Sequence, residues 1–124
     1  MNLDYLSGFL DGEGCITLAG TPTVTISQTN QKILDDIVLL TKVGKVYVTP
    51  KRDPKHKQQW CWTVTGLTAI EFLESIVDKL YLKKAEAVTL IENKGLFQRH
   101  KLKLSDETKA LRLKVKQELK DLKK

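Results

Sequence analysis

The residue pattern predicts an α+β fold in which a four-stranded antiparallel sheet carries its helices on one face. Three observations predict it. The first is order: helix, strand, strand, then helix, strand, strand, then helices to the end. Paired hairpins of this kind build antiparallel sheets with one packed and one solvated face. The second is alternation. In Thr23-Val24-Thr25-Ile26-Ser27, the two aliphatic residues share one face and the three hydroxyls the other. The third is the helical spacing of apolar residues between the strands.

The first helix has Leu3, Leu6 and Leu10 on one side and stops at Gly12-Glu13-Gly14. Residues 15–19 read as a strand, Gly20-Thr21-Pro22 as a turn, and 23–27 as the second strand. Asn30 caps a helix over about 31–42, with Ile33, Leu34, Ile37, Val38 and Leu40 on its apolar face. Gly44 ends it. Residues 45–49 form the third strand and 50–57 a basic loop. Residues 58–65 form the fourth strand, with Trp60, Trp62 and Val64 inward. Thr68-Ala69-Ile70-Glu71 has the form of a capping box. It opens a helix bearing Ile70, Leu73, Ile76, Val77 and Leu80. The chain bends at Tyr81-Leu82. A further helix spans about 84–94 and stops at Gly95. Ser105 starts a last, charged helix with Leu111, Val115, Leu119 and Leu122 in one stripe.

At 124 residues this reads as one domain, with a core at about 1–95 and a basic helical extension at about 96–124. No apolar run approaches the roughly 20 residues of a membrane helix. The first residues lack a basic region followed by an apolar run, so no secretory signal is expected. Cys15 and Cys61 are too few for a disulfide framework and have no zinc-binding spacing. The expectation is a soluble, intracellular protein without a membrane partner or small-molecule substrate. His56 and His100 have no partner pattern and read as surface residues.

The charge is segregated. Residues 1–41 carry a net −4 and residues 58–93 a net −2. Residues 42–57 hold Lys42, Lys45, Lys51, Arg52, Lys55 and Lys57 against Asp53 alone, and residues 94–124 carry a net +7. Two basic segments on a mildly acidic body suit a polyanion's backbone. The outward sheet face would carry Thr17, Thr23, Thr25, Ser27, Tyr47, Thr49, Lys51, Gln59, Cys61 and Thr63. Hydroxyls, an amide, an aromatic and a lysine can bond base edges and phosphates in a DNA groove.

The most specific stretch is Leu6-Ser7-Gly8-Phe9-Leu10-Asp11-Gly12-Glu13-Gly14. Gly8 and Gly12 lie four apart and form a bare helical stripe. Glycine costs about 1 kcal/mol in a helix interior relative to alanine, so two in register point to a close approach, most simply by another helix. Glu13 emerges at the negative end of the helix dipole, which is unfavourable without a cation nearby.

These nine residues resemble the signature of the LAGLIDADG homing endonucleases. Leu6, Gly8, Asp11, Gly12, an acid at 13 and Gly14 fall in register, with Ser7 in place of the usual alanine and Glu13 in place of the final aspartate. The resemblance covers residues 5 to about 95. It implies an αββαββα fold with a saddle-shaped four-stranded sheet. One motif implies a homodimer whose interface is built from Leu6, Gly8, Phe9, Asp11 and Gly12, each helix delivering Glu13 to the centre. Glu13 and the Gly12 carbonyl would hold magnesium; manganese would substitute, and calcium would bind without supporting cleavage. Gln28, at the end of the second strand, would position water if the pleat lapses there. Lys83 would approach the scissile phosphate. Double-stranded DNA would lie on the sheet, with added backbone contacts from Arg52, Lys55, Lys57, Arg99, Lys101 and Lys103.

The function this implies is site-specific, metal-dependent hydrolysis of both strands of a long pseudo-palindromic DNA target, as in intron or intein mobility. The alternative is a non-catalytic nucleic-acid binder on the same scaffold, either an intron RNA maturase or a DNA-binding regulator.

Overall fold

The computed structural model describes residues 1–18, 20–51, 53–97 and 106–123. Its elements are α1 (Leu3–Glu13), β1 (Gly14–Leu18), β2 (Pro22–Gln28), α2 (Gln31–Thr41), β3 (Lys45–Thr49), β4 (Gln59–Thr65), α3 (Gly66–Ile76), α4 (Lys84–Glu92) and α5 (Asp106–Leu122), with 3-10 turns at Val77–Lys79 and Lys94–Phe97. The predicted α+β order is present. One sheet runs β1-β2-β4-β3, every pair antiparallel.

The expected alternation sets the faces. Ile16, Leu18, Val24, Ile26, Trp62 and Val64 are buried under the helices. They meet Leu6 and Leu10 of α1, Leu34 and Ile37 of α2, and Ile70, Leu73 and Ile76 of α3 in a single core. Burying each such aliphatic side chain contributes about 1.5–3 kcal/mol. Trp62 is fully buried edge-on to Phe72, with ring centroids 5.3 Å apart. Its indole N–H donates to the Val43 carbonyl at 3.1 Å, satisfying the one polar atom it takes into the core.

Several expectations need correction. The Thr68–Glu71 capping box does not form. The helix starts two residues earlier, at Gly66 with φ +70°, and both residues lie within it. Gln31–Thr41 is one residue shorter than expected because Lys42 takes a left-handed φ of 59°. Lys84–Glu92 stops before Gly95, which joins a 3-10 turn. On α5 only the middle of the predicted stripe is buried: Val115 and Leu119 pack against the core, while Leu111 and Leu122 are exposed. The expected strand end at Ala19 and helix start at Ser105 fall outside the described residues.

Helix α5 docks at two points. Arg112 donates to the Leu96 carbonyl from Nε (2.9 Å) and Nη2 (2.7 Å), and its guanidinium lies over the Phe97 ring. At the other end Lys123 Nζ donates to the carbonyl of Ile16 on edge strand β1, at 2.5 Å.

Candidate nucleic-acid interface and active site

Helix α1 begins where Asn2 Oδ1 accepts the Tyr5 N–H at 2.8 Å. Leu6 and Leu10 anchor its inner side. Ser7 is buried between them, and its hydroxyl donates to the Leu3 carbonyl at 2.7 Å. A hydroxyl is therefore tolerated at this small-residue position without an unpaired group. The outer side carries Tyr5, Gly8, Phe9 and Gly12. Tyr5 stacks on Phe9, centroids 6.1 Å apart, and a Cβ added to Gly8 or Gly12 would meet nothing within 4 Å. The glycine stripe is bare and open in the single chain.

This corrects two interface assignments. Leu6 is 0% exposed in the chain's own core and has no surface to offer a second chain. Asp11 is also turned inward. Its carboxylate accepts the backbone N–H groups of Tyr81 (2.6 Å), Leu82 (3.2 Å) and Lys83 (3.0 Å). It ties the end of α1 to the turn that opens α4, where a carboxylate complements the orphan amides and the positive end of the dipole. Gly8, Phe9 and Gly12 remain on the open side.

The tie brings Lys83 to the motif. Its ammonium donates to the Asp11 carbonyl at 2.5 Å. A cation thus stands on the last turn of this helix, at a backbone carbonyl on its negative end. Glu13 is exposed at the last position of α1, beside exposed Gly12. The chain then passes straight into β1, because Gly14 has no side chain. A Cβ there would lie 2.2 Å from Leu10 Cδ1 and 2.9 Å from the Leu10 carbonyl.

Gln28 keeps to the pleat. The ladder continues unbroken to the pair Gln28–Trp60, so the lapse its role was expected to need is absent. It is half-exposed on the helix side of the sheet. Because Gly14 pairs with Ile26, Gln28 lies at the sheet end from which α1 enters. The corrected geometry keeps Gln28 at the motif's end of the sheet.

The outward face carries the expected strand residues, but Lys51 lies past the end of β3 and not in the sheet. Rows across the strands read Thr17–Thr23–Thr65, Cys15–Thr25–Thr63–Lys45, Ser27–Cys61–Tyr47 and Gln59–Thr49. Lys45, Cys15 and Thr65 join the face beyond the expected set, and the strand register is what includes them. Lys51, Lys55 and Lys57 are exposed beyond the end of β3. Thr29, Thr49, Pro50, Lys51, His56, Lys57 and Gln59 line a concavity of about 520 Å³ at that end. Arg52, Arg99, His100, Lys101 and Lys103 lie outside the described residues.

Tyr81 and Leu82, which in sequence mark only a bend, belong to this region. They are 86% and 68% exposed, and Asp11 holds their backbone amides at the end of α1. Their adjacency to the motif depends on a contact seventy residues apart in sequence, which no local pattern reveals.

Among the described residues no group of three or more His, Cys, Asp or Glu side chains is placed to hold a metal ion. At the motif's end of α1 the one open carboxylate is Glu13, and a hard oxygen donor of that kind suits a hard cation rather than a softer metal. No helix among the described residues is long and apolar enough to cross a membrane.

No protein-family model and no curated protein sequence matches the chain. Solved structures do. The homing endonuclease I-CvuI, bound to a DNA target in the presence of magnesium, matches with a TM-score of 0.78 at 21% identity over 97% of this chain and 80% of its own. The archaeal intron-encoded homing endonuclease I-Vdi141I, complexed with DNA, gives 0.76 at 20% identity over 97% and 82%. The LAGLIDADG homing endonuclease I-GzeII, in complex with a DNA target, gives 0.64 at 21% identity, and there the chain spans 43% of the longer protein. The motif helix, the β1-β2-β4-β3 sheet and these likenesses agree, and the chain has the LAGLIDADG homing-endonuclease fold.

Proposed function

We propose that the chain is a homodimeric, magnesium-dependent endonuclease that cuts both strands of a long, nearly palindromic DNA site. The observation that carries this reading is the end of α1: an exposed Glu13, an open glycine stripe behind it, and the Lys83 ammonium beside it. A two-fold axis along Gly8 and Gly12 would bring two such ends together, each supplying one carboxylate. Tyr5, Phe9, Tyr81 and Leu82 would then bury their exposed apolar surface.

Glu13 and the Gly12 carbonyl would hold the magnesium. When bound, the metal supplies an activated water and neutralises charge on the phosphate and the leaving oxygen. The chain's own residues do the rest. Lys83 keeps donors free beyond its bond to Asp11 and can stabilise charge on a phosphate oxygen. Gln28, at the same end of the sheet, orients water. The threonine-rich outer face and Lys51 read bases, and Lys55 and Lys57 hold the backbone.

The test is Glu13→Gln. Nicking of a target plasmid in magnesium should fall below detection, while a gel shift in calcium shows unchanged binding. A mutant that cuts like wild type would sink the mechanism. A wild type that binds its target and never cuts, in magnesium or manganese, would leave the non-catalytic binder as the better reading.

A further inference from the structure

Glu86 is hard to justify as a structural residue. It lies in the first turn of α4, three residues after Lys83, and is 8% exposed. Its Oε2 has no hydrogen-bond partner among the described residues. A buried carboxylate with an unpaired oxygen is costly, and an apolar residue of similar size would fill the same space more cheaply. Positive groups surround it. Lys83 stands on the same turn, and Lys123, from the far end of α5, brings its ammonium to 3.9 Å from Oε2. Burial pushes the Glu86 carboxyl above its ordinary value, and the Lys123 and Lys83 ammoniums draw it partly back. Lys123 also holds the Ile16 carbonyl, two residues beyond Gly14. A chain of charge thus runs from α5 through Glu86 to Lys83, whose ammonium rests on the last turn of α1.

Building on the nuclease reading, we infer that Glu86 is a positioning residue for Lys83, and that Lys123 locks it in place from α5. Lysine is a point charge on a flexible four-carbon stem. One hydrogen bond, to the Asp11 carbonyl, fixes a distance but not a direction. The Glu86 carboxylate, three residues on and beyond hydrogen-bonding reach of the ammonium, adds a second constraint through its field. Helix α5 has no motif residue, yet through Lys123 it becomes part of the catalytic apparatus.

The variant is Glu86→Gln, which keeps the shape and removes the charge. Because burial raises this carboxyl, its contribution to stability is fully present at acid pH and lost as pH rises through the folded value. At pH 7 the amide therefore removes a penalty, and the melting temperature should hold or rise. Single-turnover cleavage at saturating DNA should nevertheless slow by about tenfold or more, the usual effect of losing an outer-shell partner. Binding in calcium should be unchanged. In a Lys83→Met background the same change should add little, because its effect runs through Lys83. Lys123→Met should act in the same direction, more weakly. The Lys83 Cε–Nζ signal, followed by NMR on isotopically labelled protein, should shift in Glu86→Gln. An unmoved Lys83 signal overturns the inference, as does a rate loss that is fully additive with Lys83→Met. If the wild type does not cleave, the nuclease reading fails by itself, and the Lys83 signal still decides whether Glu86 positions the ammonium.

Discussion

In the first helix–strand–strand unit α1 passes into β1 with no residue between, Glu13 ending the helix and Gly14 starting the strand. In the second, Lys42, Val43 and Gly44 stand between α2 and β3. Both corners require a glycine, for different reasons. Gly14 has an ordinary φ but no room, since Leu10 fills the place of a Cβ. Gly44 has a φ of +85°, and a Cβ there would lie 2.4 Å from Trp62 Nε1. The second corner is sealed as well, by the Trp62 indole on the Val43 carbonyl. A corner without a loop presents its last helical residue to solvent. At the corner with a loop that position, Thr41, is half-buried and its hydroxyl donates to the Ile37 and Val43 carbonyls. One plan thus yields an open acidic end in the first unit and a structural brace in the second.

The largest expected effect separates the two helices' outer sides. Gly8→Leu should keep the subunit folded, because nothing lies within 4 Å of the new Cβ. It should abolish dimerisation and with it cleavage, since a close helix crossing has no space for a large side chain. Leu39→Lys, at the 75%-exposed position on α2, should change neither. Sedimentation and plasmid cleavage report both. A dimeric Gly8→Leu would move the two-fold axis away from α1.

A smaller effect distinguishes the corners. Gly44→Ala meets both backbone strain and the Trp62 ring and should destabilise by about 2–4 kcal/mol. Gly14→Ala has only the contact with Leu10 to relieve, partly through a side-chain shift, and should destabilise by about 1–3 kcal/mol. Urea unfolding measures both. The reverse order would mean that the first corner, not the second, is the brace.

The smallest effects lie on the sheet and on the loop that follows β3. Thr25 or Lys51 substitutions should alter which bases are accepted at particular positions, by about 1–3 kcal/mol per good base pairing with a side chain. Neutralising Lys55 and Lys57 should weaken all DNA alike and lower the salt slope by about one unit for each phosphate no longer neutralised. Binding to a library of single-base variants at several salt concentrations tells these apart. An unchanged base preference in the Thr25 and Lys51 mutants would mean that this face is not the reader.

The element order, the sheet faces and the motif are legible in the sequence because each follows from local spacing. Val24 and Ile26 alternate, Leu6 and Leu10 repeat, and Gly8 and Gly12 share a stripe. The inward turn of Asp11 is not legible, because its partners are the amides of Tyr81 to Lys83. Leu6 misleads for a related reason. Sequence gives a helix two sides but does not say which one the chain itself covers. The capping box at Thr68 fails because β4 runs directly into α3 through Gly66, and tertiary continuity overrides a local signal. Glu86 has no signature at all: its burial arises where α4, α5 and β1 converge.

The sheet order has a consequence for handling the protein outside its complex. Edge strand β1 is engaged by α5 through Lys123, but β3 forms the opposite edge and pairs only with β4. Val48 (61% exposed) and Tyr47 (53%) stand on that strand, near Leu39 of α2. Unpaired amides and carbonyls beside apolar side chains are a template for another strand. Lys45 at the start of β3, its length of five residues and Pro50 just past its end are the features that blunt it. Colloidal behaviour in concentrated solution therefore turns on a few residues away from the end of α1, and a charge added at Val48 is the economical way to improve solubility without touching the candidate site.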